Sequence, residues 1–297
     1  MPEAQARRVT GLLLALAGAT AFSGKAIIVK LAYRHGVDAV TLIMLRMLLA
    51  LPLFLALAWW AGRGRAPLDA RDWRVVIGLG FSGYYLASFL DFAGLQYISA
   101  SLERLILYLN PTLVMLLGWV LFRRRVTRGQ LAAFAVSYLG ILVVFGAELR
   151  LEGADVLLGS ALVLGSALSY AVYLVYSGQE VQRLGSLRLT GLATSVACLL
   201  CIVQYLVLRP VGTALALPAA VWWLSVLNAV ACTFAPVLMV MMAIERVGAA
   251  VTSQAGLVGP VVTILLGVLL LDEPLTAWVV VGTALVLAGV TWLARQR

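Results

Sequence analysis

The sequence predicts an all-α integral membrane protein of ten transmembrane helices, arranged as two inverted five-helix repeats around a central cavity. Three features predict this class: an apolar composition, ten apolar runs of membrane-spanning length, and an internal repeat of five runs. Of the 297 residues, 63% are apolar and 12% charged, whereas a soluble domain has roughly a quarter of its residues charged. In lipid a helix satisfies every backbone N–H and C=O within itself, and about 20 apolar residues carry it across.

The runs cover residues 9–32, 39–61, 73–96, 99–122, 128–147, 156–176, 187–208, 221–244, 250–271 and 275–294. Arg7-Arg8, the apolar run and Ala17-Gly18-Ala19 imitate a cleavable signal, but the run continues to Ala32, so it reads as the first span. The first run carries Lys25 and Lys30, the second Arg46, the third Asp91 and the fourth Glu103, Arg104 and Asn110-Pro111. The fifth follows Thr127, and the sixth holds Tyr170 and Tyr173. Cys198 and Cys201 lie in the seventh run and Asn228 and Cys232 in the eighth, the cysteines reading as packing residues. The ninth contains Gly259-Pro260, and the tenth follows Thr276. The intervening loops have about a dozen residues at most, too few for a soluble domain.

A net charge of +9 would suit a nucleic-acid partner, but the arginines are dispersed among the loops. Arg7, Arg8, Arg63, Arg65, Arg71, Arg74, Arg123, Arg124, Arg125, Arg128, Arg183, Arg188, Arg246, Arg295 and Arg297 fall on one side of the membrane. Only Arg34, Arg150 and Arg209 fall on the other. The positive-inside rule then places both termini in the cytoplasm, with the chain in the cell's inner (plasma) membrane.

Aligning Pro111 with Pro260, an offset of 149, superposes Ala100 on Ala249, Gly118 on Gly267, Thr127 on Thr276 and Gly140 on Gly289. The chain therefore divides into residues 1–148 and 149–297, five helices each. An odd number of spans per repeat inverts the second copy. Such pairs let a central site face each side in turn, and interrupted helices at matching positions point to that site. Pro111 and Pro260 are the expected breaks, the alternative being simple packing kinks.

The stretches Tyr97–Ile106 with Asn110-Pro111-Thr112, and Leu271-Asp-Glu-Pro-Leu-Thr276 with Gly282 and Leu287-Ala-Gly-Val290, resemble the drug/metabolite transporter superfamily, in its ten-helix duplicated-domain (EamA-type) group. The resemblance implies ten helices around a central cavity and the export of amino acids or other small metabolites from bacteria.

Charges inside a span cost about 2.5–3.5 kcal/mol each at a helix centre and need a partner or a wet cavity. Lys25, Lys30, Arg46, Asp91, Glu103 and Arg104 all fall in the outer half of the first repeat. They read either as the lining or gate of the external mouth, or as a salt-bridge lock, with Lys30 snorkelling. Tyr84, Ser88 and Asp91 share a face, as do Tyr170, Tyr173 and Ser177. Glu103 aligns with Asn110, and Arg104 with Tyr108 on the adjacent stripe. With Asn228 and with Ser253 and Gln254 in the eighth and ninth runs, these make the candidate binding or gating set.

Gly78, Gly80 and Gly83 match a dinucleotide pattern but lie inside an apolar span, where close helix packing accounts for them. The sequence has no ATP-binding P-loop, and its one histidine, His35, is in an external loop. Neither enzyme activity, nor a cofactor, nor a metal is expected. The reading is a monomeric secondary transporter or facilitator, in contact with lipid and a small solute, that works by alternating access. Amino acids with apolar or aromatic side chains are the first class of substrate, because both charge signs, amides and rings suit a zwitterion. The alternatives are a lipid- or sugar-modifying membrane enzyme, or a carrier of nucleotide sugars or organic cations.

Overall fold

A computed structural model describes residues 2–123 and 127–295, with all side chains in these ranges except those of residues 2–4, 151, 152, 179, 249, 250 and 253. Arg124, Arg125 and Arg297, placed among the loop arginines above, and the side chains of Ala249 and Ser253 lie outside the described set. Between its turns and loops the described chain is helical, and nine of its helices are long and apolar enough to cross a membrane. In order the helices are α1 (Pro2–Tyr33), α2 (Ala39–Gly62), α3 (Ala70–Gly94), α4 (Ala100–Phe122) and α5 (Arg128–Glu152). They continue with α6 (Asp155–Leu184), α7 (Ser186–Leu208), a single short turn of helix at Gly212–Leu215, α8 (Ala219–Gly248), α9 (Val258–Leu271) and α10 (Ala277–Arg295).

The expected ninth span is divided. Gly248 turns the chain out of helical geometry at φ 82°, a helical stretch ends at Ala255, and α9 then begins at Val258 with only 14 residues. In α4 the helix likewise lapses after Leu107 and restarts at Asn110. Each break precedes its proline because proline lacks the N–H that would close the turn behind it, yet fits the first turn of a new helix.

Local chemistry fixes the ends. Asp38 caps α2, accepting from the Val40 and Thr41 amides at 3.0 and 3.3 Å and from the Thr41 hydroxyl at 2.6 Å. Burial opposes its ionisation, but the Thr41 bonds and the Arg209 guanidinium 3.4 Å away prevail and hold the carboxyl below its usual range. Thr127 and Gln130 form a reciprocal capping box on α5. The helices α4 and α9 both end in a left-handed residue, Arg123 (φ 53°) and Asp272 (φ 62°), which are 149 positions apart.

Two π-helical turns interrupt α3 and α8, at Phe81–Leu86 and Val230–Phe234, again starting 149 positions apart. Each releases a carbonyl from its ladder. The Ser169 hydroxyl takes up Ser82 O at 2.7 Å, and the Thr233 hydroxyl takes up Asn228 O at 2.8 Å.

Packing pairs the helices across the chain. The helix α2 lies along α7, α5 along α10, α1 against α8 and α9, and α6 against α3 and α4. Glycines set the closest approaches. A Cβ on Gly140 would meet the Gly282 carbonyl at 2.6 Å, and one on Gly289 would meet the Ala133 carbonyl at 2.7 Å. The glycines of the dinucleotide-like pattern serve the same end, since a Cβ on Gly80 would meet Ala193 O at 2.5 Å and one on Gly83 would strike the Tyr173 ring. Outward-facing Leu13, Leu55, Leu142, Val207 and Leu265 leave an apolar surface suited to lipid. Trp59, Trp60, Trp223 and Trp278 are exposed near helix ends, where interfacial tryptophans belong.

Two of the loops assigned to one side by arginine content, around residues 63–72 and 183–188, meet at one end. Arg65 donates to Leu184 O and Arg188 to Ala66 O, while Arg183 pairs with Asp72. At the arginine-poor end Arg34 donates to Leu271 O at 2.9 Å, and Asp38 meets Arg209.

Candidate functional site

A cavity of about 690 Å³ lies between α1, α2, α3, α4, α6, α7 and α8. It runs from Lys25, Arg46 and Asp91 to Val181, Ser186 and Ile244, toward the arginine-rich end. A separate pocket of about 410 Å³ opens at the opposite end, lined by Lys30, Tyr33, Arg34, Ser99, Asp272 and Glu273 among others.

The charges expected at one level do converge, but one ammonium serves both carboxylates. Lys25 Nζ lies 2.5 Å from Asp91 Oδ2 and 3.4 Å from Glu103 Oε1. Asp91 faces the cavity, whereas Glu103, with no exposed surface, sits behind Lys25 and does not line it. Arg46 Nη2 donates to Ser88 Oγ at 3.0 Å, and its guanidinium lies 4.6 Å over the Phe92 ring. Arg104 Nη2 donates to Ser23 Oγ at 3.3 Å and lies against Gly259, where a Cβ would come within 2.9 Å of it. Lys30, expected to snorkel, instead donates to Ile98 O at 2.8 Å near the outer pocket.

One wall is aromatic. The Tyr84 and Tyr173 hydroxyls are 3.1 Å apart with their rings edge to face, and Tyr170 stacks on Tyr173 at 5.5 Å. The missing side chain of Gly83 makes room for the Tyr173 ring. The two helix breaks meet here as well, because the Tyr108 hydroxyl donates to the Gly256 carbonyl. Asn110 Nδ2 takes up Leu107 O at 2.7 Å, a carbonyl freed by the break in α4. Buried polar groups thus satisfy the backbone that the breaks expose, as irregular structure at membrane depth requires.

Lys25, Arg46, Tyr84, Ser88, Asp91, Arg104, Tyr108, Asn110, Tyr170 and Tyr173 all line the cavity. Asn228 is buried apart from it, with neither side-chain polar atom hydrogen-bonded, and Gln254 is exposed elsewhere. Both were selected for polarity alone, and helix rotation turns them away. Cys232, read as packing, contributes to the lining, whereas Cys198 and Cys201 are buried in the core between α2 and α7.

Sequence reasoning missed Thr190 and Thr194, which line the cavity from α7. Their i, i+4 spacing was the available signal. It also missed the plug at the arginine-poor end. Glu273 accepts from the Ala100 amide and the Ser101 hydroxyl, each at 2.7 Å, and the Ser99 hydroxyl donates to Glu148. Carboxylates thereby cap the start of α4, where the helix dipole favours negative charge. The Tyr33 hydroxyl closes the same region by donating to Phe92 O at 2.6 Å.

Apolar helices around a polar, charge-lined cavity define a polytopic membrane transporter. The chain belongs to the EamA-like transporter family, whose pattern matches residues 9–146 and again 157–295. It is 31% identical to the uncharacterized transporter YcbK of Bacillus subtilis (strain 168), over 92% of this chain and 88% of that one. An uncharacterized transporter of Archaeoglobus fulgidus is 27% identical over 76% of this chain and 79% of its own length. A solved crystal structure with 17% sequence identity superposes with a TM-score of 0.66, covering 97% of this chain and 99% of the other.

Proposed function

We propose that this transporter is a secondary carrier or facilitator that moves small polar metabolites outward across the inner membrane by alternating access. Amino acids with apolar or aromatic side chains are the first class to test. In this reading residues 1–148 and 149–297 are two five-helix units of opposite orientation, giving ten crossings and cytoplasmic termini. The observation that carries it is a roughly 690 Å³ cavity extending toward the arginine-rich end and stoppered toward the other by the Lys25–Asp91–Glu103 cluster.

The offset of 149 supports the paired units. It relates the two π turns and the two left-handed helix ends. It also turns the Gly140–Gly282 approach into the Ala133–Gly289 approach, as a two-fold axis between α5 and α10 requires. Two like units that exchange conformations would close one end as the other opens.

Counterflow by purified protein in vesicles, screened against amino acids, nucleotide sugars and organic cations, tests the reading. If the tyrosine wall contacts solute, Tyr84→Ala and Tyr173→Ala each weaken ring-bearing solutes about 3- to 10-fold, from the 0.5–1.5 kcal/mol of an aromatic pair. Uniform change across all solutes would return these rings to packing. If the Glu273 cap holds the outer end shut, Glu273→Gln increases labelling of a Ser88→Cys reporter by an impermeant thiol reagent applied from the arginine-poor side. Labelling unaltered by Glu273→Gln would remove the cap from the gate.

A further inference from the structure

The cavity holds more positive than negative charge. Lys25 is engaged by Asp91 and Glu103, so the cluster of these three carries one net negative charge when all are ionised. Arg46 and Arg104 also line the cavity, and among the described residues neither forms an ion pair. With both carboxylates ionised, three cations face them and one positive charge is left over.

The two guanidiniums are also short of acceptors. Arg46 is 4% exposed and its Nε has no hydrogen-bond partner, although Nη2 is held by Ser88. Arg104 Nε is likewise buried and unpartnered, while Nη2 is held by the Ser23 hydroxyl. Ser88 and Ser23 fix the planes of these forks without neutralising them. A guanidinium has five N–H donors matched to a carboxylate and cannot shed its charge. Asp91 acts on Arg46 and Glu103 on Arg104 from a distance, but neither carboxylate comes into contact with a guanidinium. A buried cation without a contacting counter-ion is unfavourable, so the site suits an anion that the resting protein does not place against it.

We infer that Arg46 and Arg104 form an anion subsite, and that the preferred solute is an organic monocarboxylate with an apolar or aromatic body rather than the zwitterion of the same side chain. The inference rests on the transporter reading and, among small polar metabolites, puts the carboxylate in place of the amino acid as the preferred solute. A monoanion cancels the surplus charge, whereas a zwitterion leaves it in place and a cation adds to it. The aromatic wall of Tyr84, Tyr170 and Tyr173 receives the body of the solute. A membrane that is negative inside drives a monoanion outward, by about tenfold in equilibrium accumulation for each 59 mV. Export would then need no coupling ion.

The test compares three probes that share one ring: 3-phenylpropanoate, phenylalanine and 2-phenylethylamine. Binding to the purified full-length protein is measured by titration calorimetry. The expected order is anion, zwitterion, cation, with at least tenfold between the first two. Arg46→Gln and Arg104→Gln should each bring the anion and the zwitterion to within about threefold of one another. Phenylalanine binding as tightly as the propanoate, or tighter, in the unmodified protein overturns the subsite, and this comparison stands even where a variant fails to fold. Counterflow in vesicles, corrected for leak in protein-free vesicles, separates the two levels. Binding in the expected order without protein-dependent flux of any probe upholds the anion subsite and removes the transport reading. Protein-dependent phenylalanine flux without anion preference removes the subsite and leaves the transporter.

Discussion

Lys25→Met is expected to abolish flux and to destabilise the protein by about 3–5 kcal/mol, the cost of leaving a buried ionic group without its partner. Lys25 is the shared counter-charge of Asp91 and Glu103, at 2.5 and 3.4 Å, and its side chain is only 17% exposed. Without it two buried carboxylates face one another with no cation between them. The double variant Lys25→Met/Asp91→Asn removes one of those carboxylates and should recover much of the thermal stability, but not the flux. Asp91→Asn alone keeps the Lys25–Glu103 pair and should insert normally with reduced flux, and Glu103→Gln should behave alike through the Lys25–Asp91 pair. Thermal unfolding in detergent and counterflow in vesicles read the two quantities separately. A Lys25→Met protein with ordinary stability and flux would make the cluster a bystander.

The second large effect falls far from the cavity. Gly289→Val should yield little folded, monodisperse protein, because the new Cβ would lie 2.7 Å from the Ala133 carbonyl and the Ser137 amide and would overlap the Ser137 hydroxyl. Backbone cannot yield as a flexible side chain does, so α5 and α10 would have to separate. Gly146→Ala in α5, the helix that Gly289 packs against, is the control. A Cβ there meets nothing within 4 Å, and the change should be neutral or stabilising by about 0.5–1 kcal/mol. Fluorescence-detected size exclusion of both variants decides the matter, and equal yields would show that the contact between α5 and α10 is adjustable.

The relation between the two units bears on why the charges sit where they do. At the offset of 149, Lys25 corresponds to Leu174, Asp91 to Val240, Glu103 to Thr252 and Arg46 to Ser195. On the proposed symmetry, one unit supplies the ions and the other supplies smooth apolar or hydroxyl surface on the facing wall. Leu174, Val240 and Thr252 do line the cavity.

Hydropathy, the arginine asymmetry and the repeat offset were legible in the sequence because each is local or periodic along the chain. They gave a helical membrane protein, the loops that gather at each end and the two proline-marked interruptions. The six costly charges were legible for the same reason, since each interrupts an apolar run. Their partners were not. Lys25 meets residues 66 and 78 positions away, and only the rise and rotation of three packed helices decide that it contacts both carboxylates while Arg46 and Arg104 contact neither. Helix rotation also kept Asn228 and Gln254 from the cavity and brought in Thr190 and Thr194, whose hydroxyls an apolar run conceals. The Glu273 cap on α4 joins loops 173 positions apart, a contact set by tertiary packing that no local pattern encodes.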